Sequence, residues 1–265
     1  MRFNSDSQKL EYWNGSAWMQ IQTFSPTLDG GSRACCAGMT PDASTESAAI
    51  DMITISTQGD ATNFGNLTQA RIGISAYSSR TRGVFHTGLN HNEIDFITFS
   101  HTGTCTDFGN SQSNRAYMKG LSNETRGISG GGYNITTEID YVNTLEFITI
   151  ATLGDSQDFG DLTVSKRAHS GQVCSSTRAV VASGYNQPAN GNYNTIETTE
   201  YYNFATLGNA VSFGDMLSGS GISPGGTSNA IRGVWMGGGI VSPLSGINII
   251  QYVNIPTMGD TVDFG

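Results

Sequence analysis

Apolar and polar residues alternate in short runs along this chain, and the runs return at a regular interval. IDMITIST, IDFITFSH, LEFITIAT, TEYYNFAT and IQYVNIPT, beginning at residues 50, 94, 145, 199 and 250, each read as one strand. In the second of them Asp95, Ile97 and Phe99 share one face and Ile94, Phe96 and Thr98 the other. Both faces therefore carry apolar groups, as in a strand covered on two sides. Just beyond each run lies a seven-residue pattern, G-[D/N/T]-x-x-[D/N/S]-F-G, at Gly59 to Gly65, Gly103 to Gly109, Gly154 to Gly160, Gly208 to Gly214 and Gly259 to Gly265. An Arg, mostly written T-R-G-V or a near variant, recurs as Arg33, Arg82, Arg126, Arg178 and Arg232. It stands 17, 17, 18 and 18 residues after the Gly that ends the preceding copy. A period of 44 to 54 residues with β-type composition predicts a propeller or another array of sheets.

The second copy shows what one unit contains. RIGISAYS, TRGVFHTG and IDFITFSH read as three strands, and Cys105 to Gly109 supplies a short fourth. Four antiparallel strands of this size make one blade. The expected fold is all-β: a five-bladed β-propeller over residues 22–265, behind a short N-terminal β-hairpin leader over residues 1–21. Residues from about Ser16 to Ser32 take the place of the segment that follows D-F-G elsewhere, which predicts a ring closed with residues 20 to 32 beside residues 250 to 265. Phe64, Phe108, Phe159, Phe213 and Phe264 are the repeated anchors between blades, and the Gly after each permits a positive φ or a close backbone approach. The recurrent Arg residues read as structural ties within or between blades, pairing Arg33 with Asp51, Arg82 with Asp95, Arg126 with Glu146 and Arg178 with Glu200. Arg232 meets Gln251, which forms no ion pair.

The first residues differ from the rest. RFN, KLEYW and SAWMQI read as three strands, broken at SDSQ and at an Asn14-Gly15 hairpin turn. Tyr12, Trp13 and Trp18 give this unit more aromatic surface than so small a meander buries alone, and mark it as a partner-binding element. The segment Arg2-Phe3-Asn4-Ser5-Asp6-Ser7, Lys9-Leu10-Glu11-Tyr12-Trp13-Asn14-Gly15-Ser16 and Trp18 resembles a hairpin that recurs in tail-fibre and other virion structural proteins of tailed bacteriophages. The repeats, with T-R-G-[V/I] and D-F-G-D-L-T, resemble repeat proteins of marine and cyanobacterial phage virions, which in turn are similar to degenerate kelch-type propellers. The resemblance implies a structural virion component, a tail-fibre or tail-associated propeller that is assembled in the host cytoplasm and contacts other virion proteins. A carbohydrate-binding receptor-recognition module and a capsid decoration or head-fibre protein stand as alternatives.

Composition narrows the remaining functions. A net charge of −9 opposes binding of a polyanion, so no nucleic-acid partner is expected. No apolar run reaches the length that spans a bilayer, and no basic start leads into an apolar stretch, so neither membrane insertion nor a secretory leader is expected. Cys35, Cys36, Cys105 and Cys174 lack C-x-x-C spacing and read as free, mostly buried thiols. Paired polar residues such as Asp60 with Asn63, Asp155 with Asp158 and Asp260 with Asp263 read as turn caps rather than calcium ligands, since Thr104, Asn209 and Ser212 replace them in other copies. No metal or cofactor is expected. Gly127-Ile128-Ser129-Gly130-Gly131 matches a nucleophile elbow, but Cys36, Phe85, Val181 and Trp235 occupy the position of Ser129 in the other copies. His86, His91, His101 and His169 form no triad pattern, and the chain reads as no enzyme.

A binding role then rests on loops. Those between the second and third strands vary most, from Leu89 to Glu93 in one copy to Tyr185 to Asn194 in another. Tyr133, Tyr185 and Tyr193, with neighbouring Asn and Gln, have the chemistry that stacks on and hydrogen-bonds a host surface glycan, and equally that of a protein contact or of cover for the blade ends.

Overall fold

The computed structural model describes residues 1–4, 9–20, 31–38, 45–134, 140–167, 171–187, 192–217, 224–240 and 243–265. Every regular element among them is a strand, so the protein is all-β. Five antiparallel sheets follow one another in chain order, one per repeat. The first has three described strands, Arg33–Ala37, Ser47–Thr54 and Thr62–Arg71. The second has four, Ser75–Ser78, Arg82–Gly88, His91–Thr98 and Thr106–Asn110. The third is built from Lys119–Ser122, Arg126–Gly130, Thr144–Thr149 and Gln157–Asp161. The fourth is built from Val173–Cys174, Arg178–Ala182, Thr198–Asn203 and Val211–Asp215. The fifth comprises Gly225–Ser228, Arg232–Met236, Ile250–Asn254 and Val262–Asp263.

The third strand of each inner sheet is covered from both sides, as its two apolar faces require. Ile97 joins Phe64, Phe85 and Cys105 in a core between the first and second sheets. Ile94, on its other face, joins Phe108, Ile148 and Ile150 between the second and third. Two further cores lie between the third and fourth sheets, around Phe159, and between the fourth and fifth, around Phe213. Each of these D-F-G Phe residues is the extra residue of a β-bulge: Asp107 faces Asp95 and Gly109 faces Ile94, which leaves Phe108 unpaired and turned into the core. Phe64, Phe159 and Phe213 repeat this register shift. The following glycine serves both expected purposes. Gly109 and Gly160 have φ of 145° and 142°. A Cβ on either would stand 2.5 Å from the backbone of Gly154 or Gly208 in the next sheet.

Closure is not among the described contacts. Most of the expected closing segment and the expected domain boundary fall on residues 21–30, outside the described residues. The two end faces carry exposed side chains: Ile53 is 45% and Phe264 54% exposed, whereas Phe64, Phe108, Phe159 and Phe213 are 2–3% exposed.

The N-terminal residues form a separate sheet of Arg2–Asn4, Lys9–Trp13 and Trp18–Gln20. Its hairpin is wider than the two-residue turn expected at Asn14-Gly15, because Trp13 pairs with Trp18. The Asn14 side chain sets the wider loop by accepting the Ser16 and Ala17 N–H groups at 2.9 and 2.8 Å.

Candidate functional site

The recurring residues are engaged between neighbouring sheets. The expected Arg–acid pairing does not form, because Arg82 stands opposite Thr98, Arg126 opposite Thr149 and Arg178 opposite Asn203, each three positions from the acid. Arg33 likewise stands opposite Thr54, three positions from Asp51. Four of the five lie over an aromatic ring of their own sheet, Phe96, Phe147, Tyr201 or Tyr252 for Arg82, Arg126, Arg178 and Arg232. The first four in the chain reach a carbonyl of the next sheet. Arg33 donates to Phe99, Arg82 to Ile150, Arg126 to Phe204 and Arg178 to Ile255, at 2.5, 2.9, 2.6 and 3.0 Å. The Arg residues are thus ties between sheets, to carbonyls rather than carboxylates.

The acids take a different cation. Asp95, Glu146 and Glu200 are fully buried, and each faces a base from the segment after the preceding D-F-G. Arg71 pairs with Asp95 at 2.8 Å, Arg115 with Glu146 and Lys166 with Glu200. These bases stand six residues beyond Gly65, Gly109 and Gly160; six beyond Gly214 is Ser220, and there the acid has become Gln251. Charge is thus lost from both sides together. Gln251 keeps the acceptor: its Oε1 takes the Leu217 N–H at 3.0 Å, as Asp95 takes that of Thr68. The first polar residue of the seven-residue pattern also bonds across the junction, with Asp155, Asn209 and Asp260 accepting the N–H of Asn110, Asp161 and Asp215. Asp107 and Asp263 cap their own turns at Gly109 and Gly265.

Ser129 and Cys105 are enclosed. Ser129 is fully buried within its strand and bonds Ser75 at 3.2 Å. Cys105 is buried, which pushes its thiol up to about 12, and Cys35 packs against the same core while Cys36 points out. His86 is fully buried beside Tyr77, its Nδ1 2.7 Å from the phenol oxygen, and burial lowers its pKa to about 3, helped by the charges of Arg115 and Arg71. A neutral ring that accepts the Tyr77 proton fits both facts.

One constellation is singular rather than repeated. Tyr133 and Tyr185 root two small hairpins, Tyr133–Asn134 with Asp140–Tyr141 and Tyr185–Asn186 with Asn194–Thr195. Arg167 bridges to Tyr185 through the backbone, and its guanidinium lies 4.2 Å from the ring centre of Tyr117, 4.9 Å from Tyr133 and 5.5 Å from Tyr185. Tyr141 fits edge-on between Tyr133 and Tyr185 at 6.0 and 6.1 Å. Tyr193 extends the row from Tyr185 at 5.7 Å and is 44% exposed. Burial raises the Tyr141 and Tyr185 phenols, against the pull of Arg167, so they remain hydroxyl donors. The structure therefore gathers all three tyrosines expected in binding loops and adds Tyr117, Tyr141 and Arg167. Residues 188–191 of the longest loop, and His169, lie outside the described residues.

The N-terminal sheet carries the other exposed aromatic surface. Phe3, Leu10, Tyr12, Trp13, Trp18 and Met19 are 41–63% exposed. Trp13 and Trp18 meet at 5.7 Å, and Arg2 stacks 4.1 Å above Trp18 while bonding Glu11 at 3.0 Å. Asn4 also donates to Glu11, and this bond leads the interactions that hold the carboxyl below its usual range. Strand alternation puts Trp13 and Trp18 on the Glu11 side of this sheet and Phe3, Leu10, Tyr12 and Met19 on the other, so both sides carry exposed apolar surface. The chain matches no protein-family model and no curated protein.

Proposed function

We propose that this protein is a non-enzymatic structural component of a tailed-phage virion, a tail-fibre or tail-associated part whose five sheets are propeller-type blades and whose N-terminal sheet is the attachment element. The observation that carries this reading is the contrast in how aromatic residues are used. In the repeats most are consumed in junctions between sheets, with Phe264 and Tyr193 exposed, while Tyr12, Trp13 and Trp18 all stand exposed on one small sheet whose buried Glu11 side chain is polar. Such anchors suit a protein interface, where large rings supply most of the energy. The test is incorporation of full-length protein carrying Trp13→Ser and Trp18→Ser. The variant is expected to retain its far-UV circular dichroism and to fail to co-purify with particles. Normal incorporation would move the attachment site to the sheets.

The tyrosine row favours a second reading, recognition of a host surface glycan. Its aromatic rings, hydroxyls and the neighbouring amide of Asn186 have the chemistry that sugars need, and the row occurs once, as a ligand site does. A glycan array with the isolated protein and with Tyr193→Ala tests it. Retained binding that Tyr193→Ala abolishes supports it, and no binding on the array opposes it.

A further inference from the structure

Every junction between sheets has two unlike halves. The leading half is the outer strand of one sheet, with its bulged Phe side chain and that residue's carbonyl. The receiving half belongs to the next sheet, whose third strand packs under the Phe and whose turn Gly N–H meets the carbonyl. Gly103, Gly154, Gly208 and Gly259 donate to Phe64, Phe108, Phe159 and Phe213 at 2.8 Å each. Among the described residues this junction forms between each pair of neighbouring sheets, and one half of each kind has no counterpart.

The unmatched halves are open. On the first sheet Ile53 is 45% exposed, whereas its counterparts Ile97, Ile148, Tyr202 and Val253 are each 3% exposed. Ile55 is 59% exposed, against a half-buried Phe99 and 1% for Ile150, Phe204 and Ile255. On the fifth sheet Phe264 is the exposed member of its series, and the guanidinium of Arg232 is held over Tyr252 as the others are held over their rings. Both surfaces are open in the same chain, so neither covers the other.

We propose that the chain associates head to tail with further copies of itself, the fifth sheet of one copy covering the first sheet of the next. Phe264 packs on Ile53 and Ile55, the Phe264 carbonyl accepts the Gly59 N–H, and Arg232 donates to the Ile55 carbonyl. This is the internal junction made once more between chains. The contact is heterologous, so it builds a ring or a filament rather than a two-fold dimer. The inference rests on the sheet geometry and does not depend on the virion reading.

Two blocked variants test it in sedimentation velocity. One carries Ile53→Glu and Ile55→Glu, the other Phe264→Glu, all at positions exposed in the single chain. The native protein should grow in mass with concentration from its 28.1 kDa monomer. Each variant alone should stay monomeric, since it presents only one usable half. Their mixture should give a one-to-one dimer and nothing larger. A native protein that stays monomeric at millimolar concentration would overturn the proposal, as would a mixture that fails to pair or a blocked variant that self-associates.

Discussion

Phe159 and Phe264 occupy the same place in the same motif, yet one is 2% exposed and the other 54%. Both lie in a D-F-G beside the third strand of their sheet, and both Phe rings touch an aromatic neighbour in their own sheet, Phe147 and Tyr252 respectively. The difference is the next sheet. Burial in this fold is therefore a property of a pair of neighbours, and stability accumulates junction by junction, as in other repeat architectures. The same holds for charge: Asp95, Glu146 and Glu200 are buried against a base that follows the preceding sheet, while Asp51 is exposed.

Substitutions in matched pairs sharpen this contrast. The largest effect is expected at the buried acids. Glu146→Ala strands Arg115 and the Ser111 and Ser156 hydroxyls, and should cost about 3–5 kcal/mol in denaturant unfolding, while Asp51→Ala should cost less than about 0.5 kcal/mol. Arg126→Ala removes a bond to the Phe204 carbonyl and a stack on Phe147, about 2 kcal/mol. Arg232→Ala loses only its stack on Tyr252, about 0.5 kcal/mol. A separate effect, read as a slope against pH, belongs to the junction that holds His86. Its folded pKa is about 3 against an ordinary 6.5, so the unfolded chain takes up a proton that the native chain refuses. Its contribution is complete above pH 6.5 and is lost as pH falls toward 3, at about 1.4 kcal/mol per pH unit. His86→Leu should flatten the stability profile between about pH 6 and pH 4 by roughly that slope; an unchanged slope would mean that the ring is charged in the native state.

Much of the array is legible in the alternation of residues. Period two alone puts Ile94 and Ile97 on opposite faces, and they enter two different cores. The D-F-G Phe is recognisable as an anchor because it recurs, and its bulge explains why a Phe and a Gly are both needed. The partner of each acid is easily mistaken, because Arg82 and Asp95 are near in one sheet, while the true partner, Arg71, comes from the strand that ends the sheet before. One sign of it is present: the base becomes Ser220 where the acid becomes Gln251. Arg167, Tyr117 and Tyr141 have no such sign. They do not recur: a hairpin within the third repeat sets Tyr141 opposite Tyr133, and the bridge from Arg167 to Tyr185 brings in the fourth.

Amide hydrogen exchange at the turn glycines, in protein dilute enough to be monomeric, measures the junction most directly. Gly103, Gly154, Gly208 and Gly259 each donate to the Phe of the preceding sheet, whereas Gly59 belongs to the first sheet and has no preceding sheet among the described residues. The four are expected to exchange slowly and together, with Gly59 exchanging at the rate of an open loop. Gly59 protected as strongly as the other four, or the four as fast as Gly59, would contradict an array held together sheet by sheet with an open first face.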